Sequence, residues 1–438
     1  MNKRMKKHIS VLLAVVLAFT CFTGLTLVNA QDSVEINSVN FPDDNFRNVV
    51  LANYDTDDTK GFLSTEEADA VTVMLLPALS EGDITTLKGI EYFTQLTRLF
   101  AGDLGIEEAD LSALTKLQTL RINGNALTSL DVSANTALQV LNCRGNAQLT
   151  SLKVPASVTD LQCDECALTQ LDLSACTGLK ALNCYGNELT ALDLSHNTEL
   201  TELRCASNHL TALDLSHNTA LTGVMTSFIG EQTVNAAATA SGKTISVPVS
   251  GIDSAFISYL SLADGSYNAQ TGAFEFSDYS AAQSGFDYNY NVNLANAEVM
   301  SVHVNVSKDF YKASYYASEG GELIDYSYVT AGSDAAAPAF PQAPEGFVCP
   351  TWSANGKNIQ ADTDIYTVWS ESHTYAVVAY SDLTATISCS VCGDTYQKSL
   401  YDCFNAKRGE ADYDAAMDYN HDGYINSRDH ALLIETFG

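Results

Sequence analysis

Positive charge is scarce in this sequence. Its 438 residues hold 22 lysines and arginines against 53 aspartates and glutamates, and Lys3, Arg4, Lys6 and Lys7 place four of the basic residues at the very start of the chain. Without those four, 18 basic side chains face 53 acidic ones, a net charge of −35. A field of that sign repels nucleic acid and anionic lipid, so neither is expected as a partner. Beyond the N-terminus there is no second apolar run of about 20 residues, so membrane insertion is not expected either. Also missing are a Ser-His-Asp set, a pair of glycosidase carboxylates and a nucleotide loop. Acidic residues without a defined cleft are no evidence for catalysis. A hydrolase within residues 230–307 is the remaining enzymatic reading, and roughly 75 residues is short for one.

The first 30 residues are read as a signal peptide. The basic start is followed by an apolar core, Val11 to Phe19, and by Val28-Asn-Ala30, where small residues suit cleavage before Gln31. The mature chain is therefore expected to be secreted or extracellular, with surface association non-covalent. Ten cysteines in an exported chain would suggest disulfides. Their positions favour another role: Cys143, Cys163, Cys184 and Cys205 recur at one inward slot and read as small buried hydrophobes.

That slot belongs to a repeat. The phrase Leu120-Arg-Ile-Asn-Gly-Asn125 returns as Leu141-Asn-Cys-Arg-Gly-Asn146, Leu161-Gln-Cys-Asp-Glu-Cys166, Leu182-Asn-Cys-Tyr-Gly-Asn187 and Leu203-Arg-Cys-Ala-Ser-Asn208, with Leu99 and Val224 extending the column. The period of 20 to 21 residues is that of a solenoid. Each copy fits L-x-x-L-x-[LIC]-x-x-[NC]-x-L and continues as L-x-x-L-D-[LV]-S-x-N-T-x-L, which closely resembles the leucine-rich repeat family. The resemblance implies a parallel β stack over residues 84–228 whose leucines and cysteines point inward. Arg98, Phe100, Arg121, Asn123, Asn142, Arg144, Gln162, Asp164, Asn183, Tyr185 and Arg204 then point outward as a partner-binding face. Four of the seven arginines after residue 30 fall in this strip, and arginine and tyrosine are frequent at the energetic centres of interfaces. A solvated strip is the alternative. On the opposite side Asp131, Asp172, Asp193 and Asp214 recur in a Ser-flanked polar turn, with cation binding the alternative. His196 and His217, two ligands in exposed turns, do not complete a metal site.

Before the repeats, residues 31–83 read as a helical cap. Phe41 to Phe46 begin a helix, and Asp55-Thr-Asp57-Asp-Thr59-Lys-Gly61 to Ser64 and Glu67 is similar to an EF-hand loop with one extra residue before the glycine. That resemblance implies Ca²⁺ held by Asp55, Asp57, Thr59, Ser64 and Glu67. An acidic turn covering the open end of the first repeat is the other reading.

After the repeats the periodicity changes to 2, as in Thr244-Ile-Ser-Val-Pro-Val249, and a β-sandwich is expected over residues 229–307. Residues 308–370 resemble the Listeria–Bacteroides repeat, a β-grasp-like module, through Gly320-Gly321, Pro344-x-Gly346-Phe347, Trp352 and Asp364-Ile-Tyr-Thr-Val-Trp369. Phe347, Trp352 and Trp369 are expected to form its core. Cys389-Ser-Val-Cys392-Gly393 marks a linker module, 371–400, whose C-x-x-C holds a metal or forms a local disulfide.

The chain closes on Asp418-Tyr-Asn420-His-Asp422-Gly423-Tyr424-Ile-Asn426-Ser-Arg-Asp429. It resembles a dockerin Ca²⁺ loop, an EF-hand relative, and implies a small α-helical module over residues 401–438. Asp418, Asn420, Asp422, the Tyr424 carbonyl, Asn426 and Asp429 would hold the ion, before a helix at Ala431 to Ile434. Dockerins carry two such loops and bind a cohesin; this chain shows one. The sequence thus describes a mixed, multidomain, non-catalytic secreted binding protein. Its repeat face would engage a protein or glycan, and its Ca²⁺ module would attach it, with a cohesin or scaffold protein as partner. The alternative is a stand-alone adhesin whose last module is only a structural cap.

Overall fold

The computed structural model describes residues 33–77, 83–221, 227–262, 264–277, 279–295, 297–345, 347–370, 373–391 and 393–437. The expected signal peptide, Val224, Gly346 and Cys392 lie outside these. The chain divides into two compact units, one of residues 33–234, 251–261 and 287–304, the other of 235–250, 262–286 and 305–437. The stretch expected as one β-sandwich, 229–307, is therefore divided between them.

In the first unit, eight very short strands lie parallel in chain order. They are Val73–Leu75, Arg98–Phe100, Thr119–Arg121, Val140–Asn142, Asp160–Gln162, Ala181–Asn183, Glu202–Arg204 and Ser227–Phe228. Leu99, Leu120, Leu141, Leu161, Leu182 and Leu203 stand opposite one another in register and are buried. One turn has no other surface on which to bury its leucine, so each contribution of about 1.5–3 kcal/mol depends on a neighbouring turn.

After four of these strands an asparagine bends the chain away. Asn146 Nδ2 donates to the carbonyls of Ile122 (3.0 Å) and Cys143 (2.8 Å), and its Oδ1 accepts the Leu127 N–H at 3.2 Å. Asn125, Asn187 and Asn208 repeat the pattern. Cys166 takes the same slot with a weak Sγ–H donor aimed at the Cys143 carbonyl, and Gln232 extends the column one turn further. A second ladder, not assigned from the sequence, runs through Asn135, Asn197 and Asn218, each donating to two backbone carbonyls. Cys143, Cys163, Cys166, Cys176, Cys184 and Cys205 are buried, unbridged thiols.

The cap seats on the first turn. Asp43 caps the helix Asp44–Asn53 with one oxygen, taking the Phe46 N–H at 2.8 Å, and holds the Thr85 N–H at 2.8 Å with the other. Phe41 is buried against Tyr92, and Gly89 (φ +106°) lies so close to the Phe41 ring that a Cβ there would approach it to 2.1 Å. The cap is less self-contained than expected over 31–83, because Val73–Leu75 is already the first rung of the repeat sheet.

In the second unit, the strands Phe310–Tyr316, Leu323–Thr330, Cys349–Trp352 and Thr363–Ser370 form one sheet. Its core is Ala313, Tyr315, Ala335, Ile359 and Ile365. The expected core aromatics Phe347, Trp352 and Trp369 are only half-buried; Trp352 packs on the core from outside, stacked on Phe340. The segments expected as separate modules, 371–400 and 401–438, share one core. Val377, Ala385 and Ile387 from a three-stranded sheet meet Leu400, Met417, Ile425 and Leu433 from the C-terminal stretch. A single helix of more than one turn, Ser427–Phe437, stands where an α-helical module was expected, and it rests on β structure.

Candidate binding face and cation loops

Strand pleating turns every second side chain of the repeat sheet outward. Arg98, Arg121, Arg144 and Arg204 are exposed there, and Phe100, Asn123, Asn142, Gln162 and Asn183 are half-buried beside them. Arg121 lies over the Phe100 ring, its guanidinium carbon 5.7 Å from the centroid. Asn142 Nδ2 donates to Gln162 Oε1 at 2.9 Å, and Asn123 Nδ2 to Asp103 Oδ2 at 3.3 Å. Arg144 is the one arginine of the four with an ion pair among the described residues, to Asp164 (3.6 Å) and Glu165 (3.3 Å). The other three keep their guanidinium groups available.

Asp164 corrects the sequence reading. Expected outward, it is 6 % exposed, because its short side chain sits in the column between the longer Arg144 and Tyr185. Its Oδ1 has no hydrogen-bond partner, and burial pushes its carboxyl above the ordinary value, with Arg144 opposing.

Some residues of the face were missed. Val73 and Leu75, 48 % and 68 % exposed, stand in register with Arg98 and Phe100 and give the strip an apolar end. Asp160 and Glu202 occupy the position before the buried leucine, which the same alternation turns outward. With Gln162, Asn183 and Arg204 they line a hollow of about 240 Å³. A second hollow, about 490 Å³, lies between Asp103, Arg121, Asn142, Arg144 and Glu165. Glu165 is a further departure: it adopts φ +56° where Gly124, Gly145 and Gly186 serve in other turns.

On the opposite side Asp131, Asp172, Asp193 and Asp214 each accept the N–H of the serine two residues on, at 2.9–3.0 Å. Those bonds engage the carboxylates in closing the turn, in keeping with the polar-turn reading.

The C-terminal loop brings its ends together. Asp418 and Asp429 are 1 % and 0 % exposed. Asp418 accepts the N–H groups of Asp422 (3.1 Å) and Gly423 (2.8 Å), and Asp429 those of Asn420 (3.1 Å) and Asn426 (2.9 Å). Asn426 Nδ2 donates to the Tyr424 carbonyl at 3.4 Å. The side chains offer oxygen, the donor type a hard cation takes, but Asp418, Asp422 and Asp429 do not bring one carboxylate oxygen each within 4.8 Å of one another. In the cap, Asp55, Asp57 and Glu67 come together. Thr59 and Ser64, expected as ligands, are committed elsewhere: Thr59 Oγ1 bonds Asp57, and Ser64 forms a capping box with Glu67 at the helix Thr65–Ala70. Among the described residues no helix is long and apolar enough to cross a membrane.

No family model matches the chain, and no curated protein matches it. Similar solved structures include the functional domain of InlJ from Listeria monocytogenes, which includes a cysteine ladder, at 20 % identity over 63 % of this chain and 99 % of that one, TM-score 0.21. Internalin C2 of Listeria monocytogenes is 22 % identical over 46 % and 88 %, TM-score 0.33. The secreted internalin-like protein Lmo2445 of Listeria monocytogenes is 15 % identical over 63 % and 98 %, TM-score 0.34. The chemistry of the face rests on its own residues.

Proposed function

We propose that this chain is a non-catalytic extracellular binding protein whose repeat face engages an acidic protein surface. One observation carries the reading: on a strongly acidic chain, three arginines without an ion pair share one strip with the exposed side chains of Val73 and Leu75 and the half-buried Phe100. Guanidinium groups beside apolar side chains suit a protein partner that offers carboxylates around an apolar anchor. A sugar uses the arginines and leaves Val73 and Leu75 without a role. The C-terminal loop binds Ca²⁺ through Asp418, Asn420, Asp422, the Tyr424 carbonyl, Asn426 and Asp429, and serves attachment, with a cohesin-type partner as the candidate. The test compares the full chain with Arg98→Glu, Arg121→Glu, Arg204→Glu on panels of purified extracellular proteins and of glycans. The expected outcome is a protein ligand lost at least tenfold in the variant, with the melting temperature unchanged. Ligands bound equally by both forms, or glycans alone, overturn the reading.

A further inference from the structure

We infer that the N-terminal cap holds a second Ca²⁺, bound by Asp55, Asp57 and Glu67, independently of the repeat face and of the C-terminal loop.

One oxygen from each of these three carboxylates lies within 4.8 Å of the others. Acidic clusters of this kind are common on surfaces, and Asp55 is what distinguishes this one. Its side chain is 2 % exposed. Oδ2 accepts the Gly61 N–H at 2.8 Å, while Oδ1 has no hydrogen-bond partner. A buried, charged oxygen without a donor is costly, and three carboxylates at this separation repel one another. The nearest positive charge is Lys60 Nζ, 3.7 Å from Oδ1, on a side chain that is 65 % exposed. One solvated ammonium offsets one charge at most; a divalent ion against Oδ1 offsets two and supplies the missing partner.

The surroundings define the ion. All three groups are hard oxygen donors, which disfavours Zn²⁺ and other ions that prefer nitrogen or sulfur. The donors come from a loop and a helix start, and the remaining positions are open to water. Such an irregular shell is tolerated by Ca²⁺, whereas Mg²⁺ demands a near-octahedral one. Glu67 is already oriented: Oε1 accepts the N–H groups of Thr56 (2.6 Å) and Asp57 (2.8 Å), and Oε2 that of Ser64 (2.9 Å). The same carboxylate thus ties the loop to the start of the helix, and an ion on it would fasten both to Asp55. Thr59 and Ser64 are supporting residues here, orienting Asp57 and Glu67.

Calorimetric titration of the full chain with CaCl₂ tests this. Two equivalents are expected to bind, one lost in Asp55→Asn with Asp57→Asn and the other in Asp418→Asn with Asp422→Asn. In the Asp418→Asn, Asp422→Asn background one equivalent remains, weakened at least tenfold by Glu67→Gln, a second variant in case the Asp55 pair disturbs folding. That same background should melt at a higher temperature with Ca²⁺ than with chelator. Absence of binding in it overturns the inference, whatever the C-terminal loop does. Binding that appears only when Lys60→Met is added also overturns it, because the ammonium is then the resident cation.

Discussion

Arg144 reaches out of its own repeat and holds Glu165 in the next, Nη2 to Oε2 at 3.3 Å. Glu165 is the residue of that turn with the least reason to be there. Its φ of +56° belongs to glycine, as at Gly145 (+68°) and Gly186 (+65°), and a side chain in that region costs about 1–2 kcal/mol. The ion pair is solvent-exposed and contributes about 0–1 kcal/mol.

Glu165→Gly should therefore stabilise the protein, by roughly 0.5–1 kcal/mol, since relief of the backbone exceeds the lost pair. Urea unfolding reads this directly. A lower midpoint would mean that the pair outweighs the strain. The variant leaves Arg144 paired to Asp164 alone.

Asn146→Ala should cost about 3 kcal/mol, because three buried hydrogen bonds are lost at about 1 kcal/mol each. Asn123→Ala, half-buried on the face, should stay within about 0.5 kcal/mol. Equal effects from the two in denaturant melts would remove the distinction between ladder and face.

Asp164 sets a pH dependence of definite sign. Burial raises its carboxyl above 3.8 in the folded chain, so the folded state keeps a proton that the unfolded state has released. Its contribution is fully present below pH 3.8 and is lost as pH rises through the raised value. Asp164→Asn removes this loss. Relative to wild type, the variant should gain stability as pH rises from below 3.8 through the raised value. A gap that stays constant with pH would show that Arg144 compensates the charge in full.

The ladder thiols should be silent. Burial pushes Cys143, Cys163 and Cys184 well above the usual thiol range and Cys205 up to about 12, which suppresses the reactive thiolate. Iodoacetamide at pH 8 should leave these four unlabelled in the folded chain and label them all in urea, as read by mass spectrometry. Rapid labelling of the folded form would show that the stack opens locally.

The solenoid was legible because a period near 21 makes the turns repeat one solution: Leu120, Ile122 and Asn125 are buried as Leu141, Cys143 and Asn146 are, and each asparagine donates to a carbonyl of its own turn and to one of the turn before. Residues outside that phrase were harder to place. Val73–Leu75 makes a strand without the asparagine slot, so nothing marked it as a rung. Asp160 and Glu202 follow from strand alternation, but they precede the leucine on which the pattern is centred. The burial of Asp164 depends on the lengths of side chains in adjacent turns, which no single repeat displays. The same holds at the C-terminus, where Val377 and Leu433 share one core although the expected module boundary at 400/401 lies between them.

The spacing of the rungs also limits what can lie along the face. Neighbouring strands are about 4.8 Å apart, so six steps from Val73 to Glu202 span roughly 29 Å. An extended peptide along the solenoid axis presents same-side residues about 6.7 Å apart and falls out of phase with the columns after two or three of them. A helix, with its 5.4 Å pitch, drifts by only about 0.6 Å per turn. The columns are thus a vernier whose spacing lies nearer to the pitch of a helix than to the repeat of an extended chain.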